Sequence, residues 1–161
     1  MARHRRYRRT WIWLGLLEGE DSDVMTSIQP ELWVDQGTAA IAFYQRAFGA
    51  RVLHVVGDGE EIVAQLAIGE AAFWIAAVGE SSERVVPRAI GAATGRVLLV
   101  VDDPDTVYAR AVEAGAVEKS PVDLEHGWRV GRILDPFGHE WEIAKPVMSW
   151  PPAQQAITAD G

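Results

Sequence analysis

The stretches FYQRAFGA (43–50) and ARAVEAGA (109–116) end two amphipathic segments alike, 66 residues apart. The same order of elements surrounds each. Residues 28–34, IQPELWV, are short, apolar and partly alternating, which predicts a strand. Ile41, Tyr44 and Phe48 then recur at helical spacing, and Gly49 can close that helix in a left-handed conformation. RVLHVVG, EIVAQLAIG and AAFWIAAV follow as strands, separated by turns at Gly57-Asp58-Gly59 and Gly69-Glu70. In the second half GRVLLVV reads as a buried strand. A helix follows, with Asp103 as N-cap, Pro104 in its first turn and Gly115 closing it. Three strands come next, near 116–121, 127–133 and 139–144. Each half is therefore a βαβββ unit, and a repeat this long means two copies of one unit, each too small to enclose a core alone.

The 161 residues suit one domain. The expected layout is a basic extension at 1–24, a single domain at 25–147 and a tail at 148–161. Within the domain, unit one spans 27–78, a Ser-, Gly- and Pro-containing linker 79–94, and unit two 95–145. Absence of cysteine excludes disulfides, thiolate metal sites and cysteine nucleophiles, and absence of asparagine excludes N-glycosylation acceptors. The apolar run from Trp11 to Leu17 is short for a secretory signal and lacks a small-residue cleavage site, so a cytoplasmic protein is expected. No stretch approaches the roughly 20 apolar residues of a membrane helix. Net charge is −8, and residues 25–161 alone carry −9. So acidic a body repels nucleic acid and suits neutral or cationic small molecules. There is no G-x-S-x-G, P-loop or G-x-G-x-x-G, which leaves serine-hydrolase and nucleotide readings unsupported.

Three stretches carry a family likeness: AIAFYQRAFGA, GRVLLVVDDPDTVYARAVEAGA and GWRVGRILDPFGHEWEIAKP. With the doubled βαβββ order, the chain resembles the vicinal oxygen chelate (VOC) superfamily, the glyoxalase, bleomycin-resistance and ring-cleaving dioxygenase group. The resemblance implies an α+β fold of two βαβββ modules forming a half-open barrel. It also implies pairing into a homodimer, with cavities completed between subunits. Metal-dependent members place His, Gln or Glu on the first and fourth strands of each module. Carried onto this chain by strand alternation, those positions fall on Gln29, Phe73, Arg96 and Glu142. Phe73 cannot ligate, and Arg96 brings positive charge where an ion would sit. No metal or other cofactor is therefore expected, with a divalent metal as the alternative. Arg96 is expected to pair with Glu142 instead.

The same alternation puts Glu31 and Trp33 beside Gln29, Leu98 beside Arg96, and Glu140 beside Glu142, all facing the cup. The resemblance sets Trp128 and Arg129 at the cup rim, with Arg129 more simply a surface residue. Trp74 and Trp141 fall on the opposite face, toward the helices, and His139 shares that packed phase. His54 and His126 lack an acidic partner at motif spacing, and VDDPD reads as a helix cap. Acids, one Arg and aromatics together suit a flat or cationic ligand held by stacking and cation–π contacts. The first expectation is thus a small-molecule binding protein of the bleomycin-resistance type. The alternative is a lyase or isomerase with Glu142 as general base and Arg96 stabilising an enolate oxyanion.

Overall fold

The computed structural model describes residues 25–151. The predicted basic extension at 1–24 and most of the predicted tail lie outside the described residues. The first unit runs β1 (Glu31–Val34), α1 (Gly37–Phe48), β2 (Arg51–Val56), β3 (Val63–Ile68) and β4 (Ala71–Ala77), with a 3-10 turn at Gly59–Glu61. The second runs β5 (Arg96–Val100), α3 (Pro104–Glu113), β6 (Val117–Glu125), β7 (Trp128–Leu134) and β8 (Glu140–Pro146). A one-turn helix, α2 (Pro87–Ile90), lies inside the stretch expected to be linker. Each unit forms one four-stranded sheet, ordered β1-β4-β3-β2 and β5-β8-β7-β6. The first strand of each pairs parallel with the last and the remaining pairs are antiparallel. The sheets do not close into a barrel.

Local chemistry sets the element ends. Gly49 takes φ 66° beyond α1, and its N–H bonds the Gln45 carbonyl. Asp103 caps α3, accepting the Thr106 N–H at 3.1 Å and the Thr106 hydroxyl at 2.6 Å. Pro121, which has no N–H to donate, sits on edge strand β6 where its pairing with β7 is irregular.

The helix-facing sides of both sheets merge into a single core. Phe43, Tyr44 and Phe48 of α1 pack with Phe73 and Ile75 of β4, and with Trp141 and Ile143 of β8. Tyr108 and Ala111 bring α3 into the same cluster. Its polar centre is Asp135, 3% exposed, in the β7–β8 turn. One carboxylate oxygen accepts the N–H groups of Phe137 and His139, both at 2.9 Å. The other accepts the Tyr44 hydroxyl at 2.6 Å and Trp141 Nε1 at 3.0 Å. A carboxylate met by four donors is satisfied without water, and it ties α1 of one unit to the hairpin of the other. Burial first, and the Asp135 charge second, push the Tyr44 phenol well above its ordinary range, so it remains a donor. His139 adds a second tie, donating from Nε2 to the Trp33 carbonyl at 2.8 Å. Arg88 of α2 adds a third, bonding the Pro136 carbonyl and pairing with Asp35.

Candidate functional site

The faces turned away from the helices carry the candidate residues. On the first sheet, cross-strand register aligns His54, Gln65, Trp74 and Glu31 in one row. Gln29 sits just before β1, and its side-chain oxygen accepts Trp74 Nε1 at 2.8 Å and Gln65 Nε2 at 2.9 Å. Trp33 donates Nε1 to Glu31 at 3.0 Å, and the guanidinium of Arg84 stands 5.5 Å from its ring centroid.

Two expectations on β4 are reversed. Phe73 does not face the cup; it is 5% exposed and packs edge-on against Tyr44 and Trp141. Trp74, expected toward the helices, takes the open face instead. The register decides the phase of β4: Trp74 pairs with Glu31 and Gln65 on the open face, which puts its neighbour Phe73 on the packed face. A one-residue error in a strand exchanges its faces. Trp141 lies on the packed face as expected, 1% exposed.

On the second sheet, Arg96, Leu98, Glu140 and Glu142 share the open face, since Arg96 aligns with Glu140 and Leu98 with Glu142. Arg96 Nη1 donates to Glu142 Oε2 at 2.5 Å, the pairing expected from the sequence. Sequence reasoning missed Arg132, which aligns with Glu142 across β7–β8 and donates Nε to the same oxygen at 2.7 Å. Its Nη1 and Nη2 engage both oxygens of Glu125, at 3.2 and 2.8 Å. Arg132 holds the Glu125 carboxyl below the usual range, and Glu125 and Glu142 in turn raise the Arg132 guanidinium. Alternation in WRVGRIL puts Trp128, Val130 and Arg132 on one face. Only the hairpin register reveals that this face is also that of Glu142.

Seven residues of this sheet face line a shallow, half-open cavity of about 210 Å³. Arg132 and Glu142 are polar components of its lining, Leu98, Val130 and Trp128 supply apolar surface, and Glu125 and His126 complete it. His126, at φ 48°, and Gly127, at φ 82°, form the two-residue β6–β7 turn, a left-handed pair suited to a tight hairpin. Arg129 points the other way and makes a two-pronged pair with Asp105 at 2.5 Å, which lowers the Asp105 carboxyl. Among the described residues, no hydrogen bond or ion pair joins the cup-facing side chains Gln29, Glu31 and Trp33 to those of the second sheet.

A model of the Glyoxalase/Bleomycin resistance protein/Dioxygenase superfamily matches residues 26–143, most of the chain. The chain belongs to that superfamily. An Arabidopsis thaliana gene product of solved structure shares 26% identity with this VOC chain, with a TM-score of 0.60 over 75% of this chain and 99% of that one. TioX from Micromonospora sp. ML1 is 25% identical, with a TM-score of 0.59 over 76% and 99% of the two chains. The fosfomycin resistance protein FosX from Mesorhizobium loti shares the fold at 15% identity, with a TM-score of 0.56 over 79% and 94%. A search of curated proteins finds no match.

The positions that the resemblance assigns to metal ligands fall, by the observed register, on Gln29, Trp74, Arg96 and Glu142. These do not fit a divalent ion. The Gln29 oxygen already accepts two hydrogen bonds, an indole does not ligate, and a guanidinium occupies the Glu142 carboxylate. Among the described residues, no three His, Asp or Glu side chains are grouped to hold a metal. No described helix is long and apolar enough to cross a membrane.

Proposed function

We propose that this VOC protein binds a small, flat molecule, aromatic and preferably cationic, in the cavity of its second sheet, without a catalytic metal. One observation carries the reading: the residues at the four ligand positions satisfy one another in pairs, Gln29 with Trp74 and Arg96 with Glu142. Holding a divalent ion needs several free ligand atoms together, and of these four side chains only Glu142 offers one, its Oε1, since both guanidiniums engage Oε2. The apolar surface of Leu98, Val130 and Trp128 suits a ring, and Glu125, Glu140 and Glu142 outnumber Arg96 and Arg132 on the same face. Exposed Trp33 and Leu98 on the two open sheet faces support a homodimer in which one chain's first sheet covers the partner's second.

The test is a calorimetric titration with N-methylquinolinium, a planar aromatic cation, with elemental analysis of the same sample. Binding should survive EDTA, and Glu142→Gln should weaken the cation more than its neutral analogue 4-methylquinoline. A stoichiometric divalent metal that EDTA removes together with binding would overturn the proposal.

A further inference from the structure

Beyond residue 143, where the superfamily match ends, the chain stays against the β6–β7 hairpin. β8 continues to Pro146, which aligns with Trp128, and the Val147 N–H then donates to the Gly127 carbonyl at 2.9 Å. Met148 lies over the hairpin turn, its Cε 3.1 Å from where a Gly127 Cβ would stand. Trp150 meets Trp128 edge to face, ring centroids 4.9 Å apart and planes at 69°. Trp128 is itself cavity lining. Residues 147–150 thus form a strap on the β6–β7 hairpin, beside Trp128 of the cavity lining.

Trp150 is nevertheless 59% exposed. An edge-to-face pair engages the edge of one ring and one face of the other, so aromatic surface remains open beside the cavity. Leu98, half exposed, supplies further apolar surface to the same site. A large aromatic ring anchored in place yet left in water is surface whose desolvation a ligand can exploit.

We infer that Trp150 is a ligand-contacting residue, and that Trp128 and Trp150 form an aromatic corner against which a planar ring system lies with its cationic edge toward Glu142 Oε1, the oxygen that neither Arg96 nor Arg132 engages. This rests on the binding function proposed above and names the part of the ligand it takes: a ring system large enough to reach past the sheet edge onto the strap.

The test titrates N-methylquinolinium into the full-length protein, Trp150→Ala, Trp150→Phe and Glu142→Gln, with melting temperature and solution mass measured for each. Stacking on one aromatic ring predicts that Trp150→Ala weakens binding about five- to tenfold, while Trp150→Phe loses roughly twofold or less, at unchanged mass and melting temperature. Wild-type affinity in Trp150→Ala, with Glu142→Gln still weakened, overturns the inference and leaves the binding function standing. No binding by the wild type overturns both. If Trp150→Ala changes the solution mass, the strap belongs to a subunit contact, and the inference is again overturned.

Discussion

Replacing Tyr44 by Phe removes one oxygen from the buried Asp135 node and little else. The ring contacts of Tyr44 with Phe43, Phe73 and Trp141 remain available to a phenyl group. The loss is the 2.6 Å hydrogen bond to a carboxylate that is 3% exposed. Hydrogen bonds to charged groups contribute about 1.5–3 kcal/mol, and the carboxylate oxygen keeps Trp141 as partner, so about 2 kcal/mol is expected. For a chain of this size that corresponds to about 4–8 °C in melting temperature. Asp135→Asn should cost more. If its oxygen serves the two backbone N–H groups, its NH2 group faces Trp141 Nε1, and two donors then oppose each other in the core. The Tyr44 pKa adds a pH signature. It is raised in the folded state, so its contribution is fully present below the unfolded value of about 10 and is lost as pH rises through the folded value. The stability gap between wild type and Tyr44→Phe, from urea unfolding, should therefore be constant near neutrality and shrink above pH 10. A gap under about 0.5 kcal/mol at pH 7, or one that widens in alkali, would refute the assignment of Asp135 as the node joining the two units.

Other outcomes follow from the same contacts. Arg132 depresses the Glu125 carboxyl, so that stabilisation is present above the ordinary carboxylate range and lost as pH falls through the depressed value; in Arg132→Gln, carbon-detected NMR should find Glu125 titrating at higher pH, and an unmoved titration would break the link. Gly138→Ala sets a Cβ 2.5 Å from the Arg88 backbone nitrogen at φ 91°, so α2 must lift from the β7–β8 turn; unfolding should come at least about 2 kcal/mol sooner, and wild-type stability would contradict that close approach. For the homodimer, light scattering should give twice the 17.7 kDa chain mass. Leu98→Glu should return the monomer, and a monomeric wild type would remove the shared-cup arrangement.

Much of this was legible along the chain because it depends on local periodicity. The doubled βαβββ order, the left-handed Gly49 and the Asp103 cap follow from side chains acting on their own backbone. The Arg96–Glu142 pair was also within reach, since both lie in strands whose phase is anchored by nearby motif residues. The phase of β4 was not, because only its pairing with β1 and β3 decides which of the adjacent Phe73 and Trp74 faces the helices.

Arg132, Glu125 and Trp150 needed the folded chain. Arg132 looks like any strand arginine until the β7–β8 register sets it opposite Glu142. Trp150 looks like part of a tail until the Val147 N–H finds Gly127 and its ring finds Trp128. The sequence determined the doubled order of strands and the two long helices, because alternation and capping act over a few residues. Tertiary structure decided which charges meet and which aromatic rings border the cavity, because those pairings are made across strands whose relative register no local pattern encodes.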